Sequence, residues 1–220
     1  MNIDFSSIDS RPIIDISPRL SPETAVWPGD TPLRRRVLSA IKDGSNIDLS
    51  TLETTVHIGA HADAPSHYAA AAPDIGHMHL RPWMGPCIVE TCEIMTLITA
   101  QHVEQTVRKV QEFGVRRVLF RTLSFPDPNK FTENFAAFRP DAVDALGRAG
   151  VILLGIDTPS VDPFSSKDLP AHQALKRWKM VNLEGLVLSH VEDGVYELVA
   201  LPLRLSGFDA SPVRAVLRPF

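Results

Sequence analysis

Cysteine is scarce: Cys87 and Cys92 are the only two in 220 residues. Two thiols cannot make a disulfide framework. They stand five residues apart in GPCIVETCEI, and on an extended strand an odd separation points side chains to opposite faces, so they read as buried free thiols. Basic charge is also limited. Lys and Arg number 22 against 26 Asp and Glu, a formal charge of −4. With no long basic run, nucleic acid and anionic membranes are poor partners. No apolar run reaches the roughly 20 residues of a membrane-spanning helix. The start, MNIDFSSIDSRP, lacks the basic-then-apolar layout of a secretory leader, and a cytoplasmic location is expected. No G-x-S-x-G elbow occurs, which disfavours a serine-hydrolase route. Without repeats, low-complexity tracts or linkers, one domain over residues 1–220 is expected.

The chain is otherwise ordinary globular sequence, 44% apolar and 22% charged. Its eighteen prolines sit mostly in loops and at segment starts, which implies many fixed turns. Strands are expected at 11–17, 33–40, 47–58, 115–121, 151–157 and 196–205. The spacing predicts a helix over 100–113, with Thr99 as N-cap, Val103, Val107 and Val110 as its apolar stripe, and Gly114 as its stop. Further helices are expected at 140–149 and 170–178. The turn-rich segment VWPGDTP (26–32) and the irregular stretch 121–140 are loops, the latter long enough to suggest function. Strand–helix–strand succession of this kind argues for a mixed α/β or α+β architecture.

Three of the eight histidines fall within eleven residues, in HIGAHADAPSH (57–67). Gly59 and Pro65 make a helix improbable. In an extended segment, His57, Gly59, His61, Asp63 and His67 project to one face, with Gly59 leaving space between the rings. Neighbours on that face lie ~7 Å apart along the chain. Two imidazoles and a carboxylate can then converge on one divalent cation such as zinc or manganese. His77 and His79 lie in a Pro-rich loop with no carboxylate in phase, His102 reads as a solvated helix residue, and His190 as an exposed one by a turn. Glu184 stands alone in the apolar run NLEGLVL. A buried carboxylate is costly unless paired, so it needs a cation or an arginine.

The segment 57–67 resembles the metal-binding signature of the metal-dependent cyclase-like hydrolases. The resemblance runs from about Pro12 to Arg218. It includes VWPGDTP (26–32), GIDTPSVDP (155–163), AHQALKRWKMVNLEGLVL (171–188) and YELVALPLRLSGFDASPVRAVLR (196–218). It implies a β/β/α fold with a β-barrel-like core, a homodimer, and two divalent metals per subunit, usually zinc. By the same resemblance His57, His61 and Asp63 hold the first ion, Asp63 bridges to a second, and His172 and Glu184 complete that second site. His67 is then the acid/base residue and Trp27 the contact for an aromatic substrate. Ile58 departs from the Thr or small polar residue usual there, but points away from the metals. The implied reaction is hydrolysis of an aryl formamide, N-formyl-L-kynurenine, to L-kynurenine and formate. Two rivals are a relative that opens a cyclic imide or isatin-like ring, and a non-catalytic metal- or ligand-binding protein. His67, an extra base beyond the ligands, favours an enzyme over the latter.

Overall fold

The computed structural model describes residues 11–93 and 96–220. The leader-free reading of residues 1–10 and the end of GPCIVETCEI at Ile94 lie outside them. The strands are β1 (Ile14–Asp15), β2 (Arg34–Ser39), β3 (Leu49–Glu53), β4 (His61–Asp63), β5 (Met84–Thr91), β6 (Leu97–Ile98), β7 (Arg117–Arg121), β8 (Ala137–Phe138), β9 (Leu153–Ile156), β10 (Val181–Glu184), β11 (Gly194–Val199), β12 (Ala210–Pro212) and β13 (Val216–Pro219). The helices are α1 (Glu104–Phe113), α2 (Pro140–Arg148) and α3 (Pro170–Trp178). The architecture is mixed α/β, as expected.

Nine strands form one sheet in the order β1-β13-β11-β5-β7-β9-β10-β4-β12. The central pairs β5/β7, β7/β9 and β9/β10 are parallel and the flanking pairs antiparallel. The sheet cannot be flat. β12 lies at one edge and β13 next to the other, yet only residues 213–215 join them. Those few steps span at most about 14 Å of chain. Seven strand spacings in a flat sheet would need about 34 Å. The sheet therefore curls on itself into a half-barrel, as the backbone bond from Val187 N–H, just after β10, to the Ile16 carbonyl, just after β1 (2.8 Å), illustrates.

Alternation along the central strands divides the core in two. Cys87, Val89, Leu119 and Leu153 enter the cluster inside the curl, with Trp83 and Leu183. Ile88, Val118, Phe120, Leu154 and Ile156 face the other way, onto Val110 of α1, Val143 and Leu146 of α2, and Leu175 of α3. Cys92 packs against that second cluster, opposite Cys87, and both thiols are free. Pro140 and Pro170 each start a helix at a position where the missing N–H costs nothing. Gly114 ends α1 at φ +64°. Among the described residues, no helix is long and apolar enough to cross a membrane.

Several elements are shorter than their sequence pattern. α1 starts at Glu104, not Ala100. Thr99 does not cap it: its N–H donates instead to Nδ1 of His102 (3.0 Å), the exposed histidine expected to be solvated on the helix. β3 ends at Glu53, and the strand expected over 196–205 ends at Val199, short of Pro202. β1 keeps only two residues of the expected 11–17, because Ser17 spends its hydroxyl and amide on Ala215 and Asp15.

Candidate metal centre and active site

The segment 57–67 is not one extended strand. His57 sits in a turn, Gly59 is left-handed at φ +56°, His61–Asp63 is the short strand β4, and Pro65–His67 is a 3₁₀ turn. His61 and Asp63, two apart on β4, share a face by alternation as expected, whereas His57 joins them across the turn at Gly59 and His67 from the 3₁₀ turn. Gly59 does not leave room between the rings, since a Cβ there would meet Pro18 and Leu20.

Antiparallel pairing of β10 with β4 puts Glu184 opposite His61, and pairing of β12 with β4 puts Ala210 opposite Asp63. α3 delivers His172 from its first turn. His57, His61, Asp63, His172 and Glu184, separated by up to 127 positions in sequence, thus meet (184 − 57 = 127). Asp63 divides its oxygens. Oδ1 lies 3.1 Å from Nδ1 of His57 and 3.6 Å from Nε2 of His61. Oδ2 lies 3.3 Å from Nε2 of His172. Glu184 spans the same two halves, with Oε2 3.3 Å from Nε2 of His61 and Oε1 3.4 Å from Nε2 of His172.

Each imidazole is oriented from behind. Nδ1–H of His61 donates to the Gly59 carbonyl (2.8 Å), leaving Nε2 as a bare lone pair. Nδ1 of His172 lies 2.7 Å from Oδ2 of Asp162, which also accepts from the His172 amide. Nε2 of His57 lies 3.0 Å from Oδ2 of Asp209. Such outer partners are the usual supports of metal-ligating histidine. Asn182 donates to Asp63 (2.7 Å) and to Glu184 (3.0 Å), and the Val161 amide donates to Glu184 (2.9 Å). Glu184 is thus buried and, among the described residues, has no arginine partner.

The donor set fits a divalent cation. Nε2 of His61 and Oδ1 of Asp63 are buried and make no hydrogen bond. A lone pair facing two carboxylate oxygens is repulsive unless a cation lies between them. A tetrahedral ion with donors ~2.1 Å away would separate those donors by about 3.4 Å, within the 3.1–3.6 Å range found here. With protons alone, the cluster is strongly polarised. Burial pulls the His57 imidazole down, but Asp63 and Asp209 outweigh it and raise it to about 9. His172 is raised well above its ordinary value by Asp162, Asp63 and Glu184 despite burial. Burial alone would push Asp63 up, but His172, His57 and His61 hold it well below the usual carboxylate range.

The cluster forms the floor of a cavity of about 550 Å³, within the range of small-molecule sites. His67 stands exposed on its wall, with Nδ1 3.0 Å from Oδ2 of Asp209. A ring nitrogen of His67 lies within 4.8 Å of donor atoms of Asp63 and His172. Trp27 is half-buried rather than exposed: it packs on Phe164 (4.9 Å between ring centroids) and Phe131 (5.6 Å), and with Phe125 and Phe131 it makes an aromatic wall. His77 is outside the cavity and pairs with Asp74 (2.6 Å), a carboxylate three residues earlier that a strand-phase reading passes over. His79 is exposed, and His190 contacts the Asp15 carbonyl (3.0 Å). Asp162 and Asp209 are not legible as functional residues in the sequence. Both lie inside resembling motifs, but nothing in their spacing marks them.

The Cyclase family model matches residues 14–163. A kynurenine formamidase of Bordetella petrii is 42% identical over 93% of this chain and 96% of its own length. One of Bordetella avium is 43% identical over the same shares. Among solved structures, one described as a potential metal-dependent hydrolase with cyclase activity has a TM-score of 0.78 at 24% identity, over 94% of this chain and 98% of that one. An isatin hydrolase bound to the product analogue thioisatinate has a TM-score of 0.77 at 21% identity, covering 94% and 92%. These structural likenesses bear on the fold. With the family model spanning most of the chain and close relatives spanning 93% of it, the chain belongs to the Cyclase family and groups there with the kynurenine formamidases.

Proposed function

We propose that the chain is a metal-dependent amidohydrolase that converts N-formyl-L-kynurenine and water to L-kynurenine and formate. The observation that carries this is the bare Nε2 of His61 facing buried carboxylate oxygens at the floor of an aromatic-walled cavity. Its relatives at 42–43% identity support the substrate. Two divalent ions per subunit, zinc by the resemblance, would suit these imidazole and carboxylate donors: His57, His61 and Asp63 would hold one, and Asp63, His172 and Glu184 the other. A divalent cation bound there supplies Lewis acidity, polarising a carbonyl oxygen and lowering the pKa of water toward about 7.

The chain's own residues supply the rest. Trp27 and Phe131 hold the aryl ring, so that the formyl group reaches down to the cluster. His67 takes a proton from the attacking water as its oxygen bonds to the formyl carbon. It returns that proton to the anilide nitrogen as the C–N bond breaks. The free aniline and formate result, and no protein nucleophile is consumed. The homodimer and the cytoplasmic location belong to the same reading; the two free thiols Cys87 and Cys92 are in keeping with a reducing compartment.

Deformylation followed by absorbance tests the reading. His67→Asn should keep metal and fold and lower kcat by roughly 10²–10⁴. Preference for an isatin-like ring would assign the rival hydrolase, and metal binding without turnover of either would leave a binding protein.

A further inference from the structure

Among the described residues, the ring of the proton-transfer histidine has one side-chain hydrogen-bond partner, and it comes from the far end of the chain. Nδ1 of His67 lies 3.0 Å from Oδ2 of Asp209, and the same oxygen lies 3.0 Å from Nε2 of His57. Asp209 is itself fixed by the sheet. Its carbonyl accepts the Ala64 amide (2.8 Å), and the next residue, Ala210, pairs with Asp63. The carboxylate is therefore held in register with the residue that divides its oxygens across the cluster.

We propose that Asp209 is a positioning residue for His67: by accepting Nδ1–H it fixes the ring's tautomer and direction, so that Nε2 is the nitrogen presented to the substrate. The inference rests on the acid/base assignment of His67 made above. The need is physical. A neutral imidazole has two tautomers, and only the one with a lone pair toward the reacting atoms can accept a proton there. The His67 ring packs on that of His57, but packing cannot choose between tautomers; a hydrogen-bond acceptor at Nδ1 can. Sharing one oxygen with His57 also holds the two rings 4.3 Å apart, centroid to centroid.

Asp209 touches two histidines, so the test must separate them. Asp209→Ala, Asp209→Asn, His67→Asn and the double variant Asp209→Ala with His67→Asn would be prepared and loaded with zinc. Metal content, KM, kcat and the ¹⁵N resonances of the His67 ring would be measured on each. At saturating zinc, Asp209→Ala is expected to keep metal content and KM within about twofold and to lose roughly 10–100-fold in kcat, the lost contact with His57 lowering zinc affinity rather than occupancy. Asp209→Asn, whose amide oxygen can still accept, should recover part of that loss. In the His67→Asn background, at saturating zinc, the Asp209 change should cost far less kcat than in the wild type, because its effect on turnover runs through the His67 ring while its contact with His57 bears on metal affinity. Wild-type His67 should show the Nδ1–H tautomer, mixed or reversed in Asp209→Ala. Losses in kcat that multiply in the double variant at saturating zinc, or an Nε2–H tautomer in the wild type, would each overturn the proposal. If the Ala variant does not fold, the Asn variant and the wild-type tautomer decide. The tautomer needs no turnover, so it stands or falls separately from the choice of N-formyl-L-kynurenine as substrate.

Discussion

A Cβ on Gly185 would stand 2.1 Å from the carbonyl oxygen of Gly59, the same oxygen that accepts Nδ1–H of His61. Both glycines are left-handed, at φ +64° and +56°. Gly185 follows Glu184 directly, so this contact locks the β10 end to the turn that carries His57. Gly185→Ala should force the two apart, lowering metal content and activity together and destabilising the fold by about 2 kcal/mol or more. Elemental analysis and thermal melting check it. A stable variant with full metal would show that the close approach does not set the site.

Proton and metal compete for His57. Its imidazole is raised to about 9 from 6.5, so in metal-free protein it carries a proton through neutral pH. Metal uptake must displace that proton, and apparent affinity should rise with pH up to about 9. Stability of the metal-free protein should run the other way. The contribution of charged His57 is complete below its unfolded value of 6.5 and is lost as pH rises through about 9. Calorimetric titration in buffers of different ionisation enthalpy, and melting of chelated protein across that range, check both signs. Metal affinity that is flat with pH would contradict the ligand role of His57.

Glu184 is buried and shared between His61 and His172. Glu184→Gln removes the charge and turns an amide toward those rings. Metal content should fall by about one ion of two, the ion on His57, His61 and Asp63 being largely retained. Unchanged content by elemental analysis would remove Glu184 from the ligand set.

Trp27 reaches the cavity by packing its ring on Phe164, Phe131 and Phe135, and among the described residues none of its ring pairs is with a histidine. Trp27→Ala should raise KM by roughly tenfold, the worth of one good aromatic contact, with kcat within about threefold. Steady-state kinetics decide; a kcat-only loss would place Trp27 in the chemistry rather than in binding.

What the sequence discloses follows from range. His57, His61 and Asp63 are readable because they are neighbours in the chain, although Gly59 brings His57 to the other two by a route that strand alternation does not foresee. Glu184 is readable because a charge inside VNLEGLVL must be paired. His172, 109 positions from Asp63, enters through resemblance alone, and its support Asp162 looks like any loop aspartate. Asp209 lies 142 positions from His67, and only the β12–β4 register brings them together. Among the elements, β7 and β9 are legible as short apolar runs of the kind buried strands carry, and α2 and α3 by Pro at their starts. The start of α1 is not, since the competing bond from Thr99 to His102 is a local choice invisible to periodicity.

The central claim is metal-dependent deformylation, and one measurement addresses it most directly: absorbance of N-formyl-L-kynurenine with zinc-loaded, chelator-stripped and zinc-restored protein. Turnover in the loaded sample, its loss on stripping and its return with zinc are the predicted result. Full turnover in protein verified to be metal-free, or none in the fully loaded protein, would contradict it.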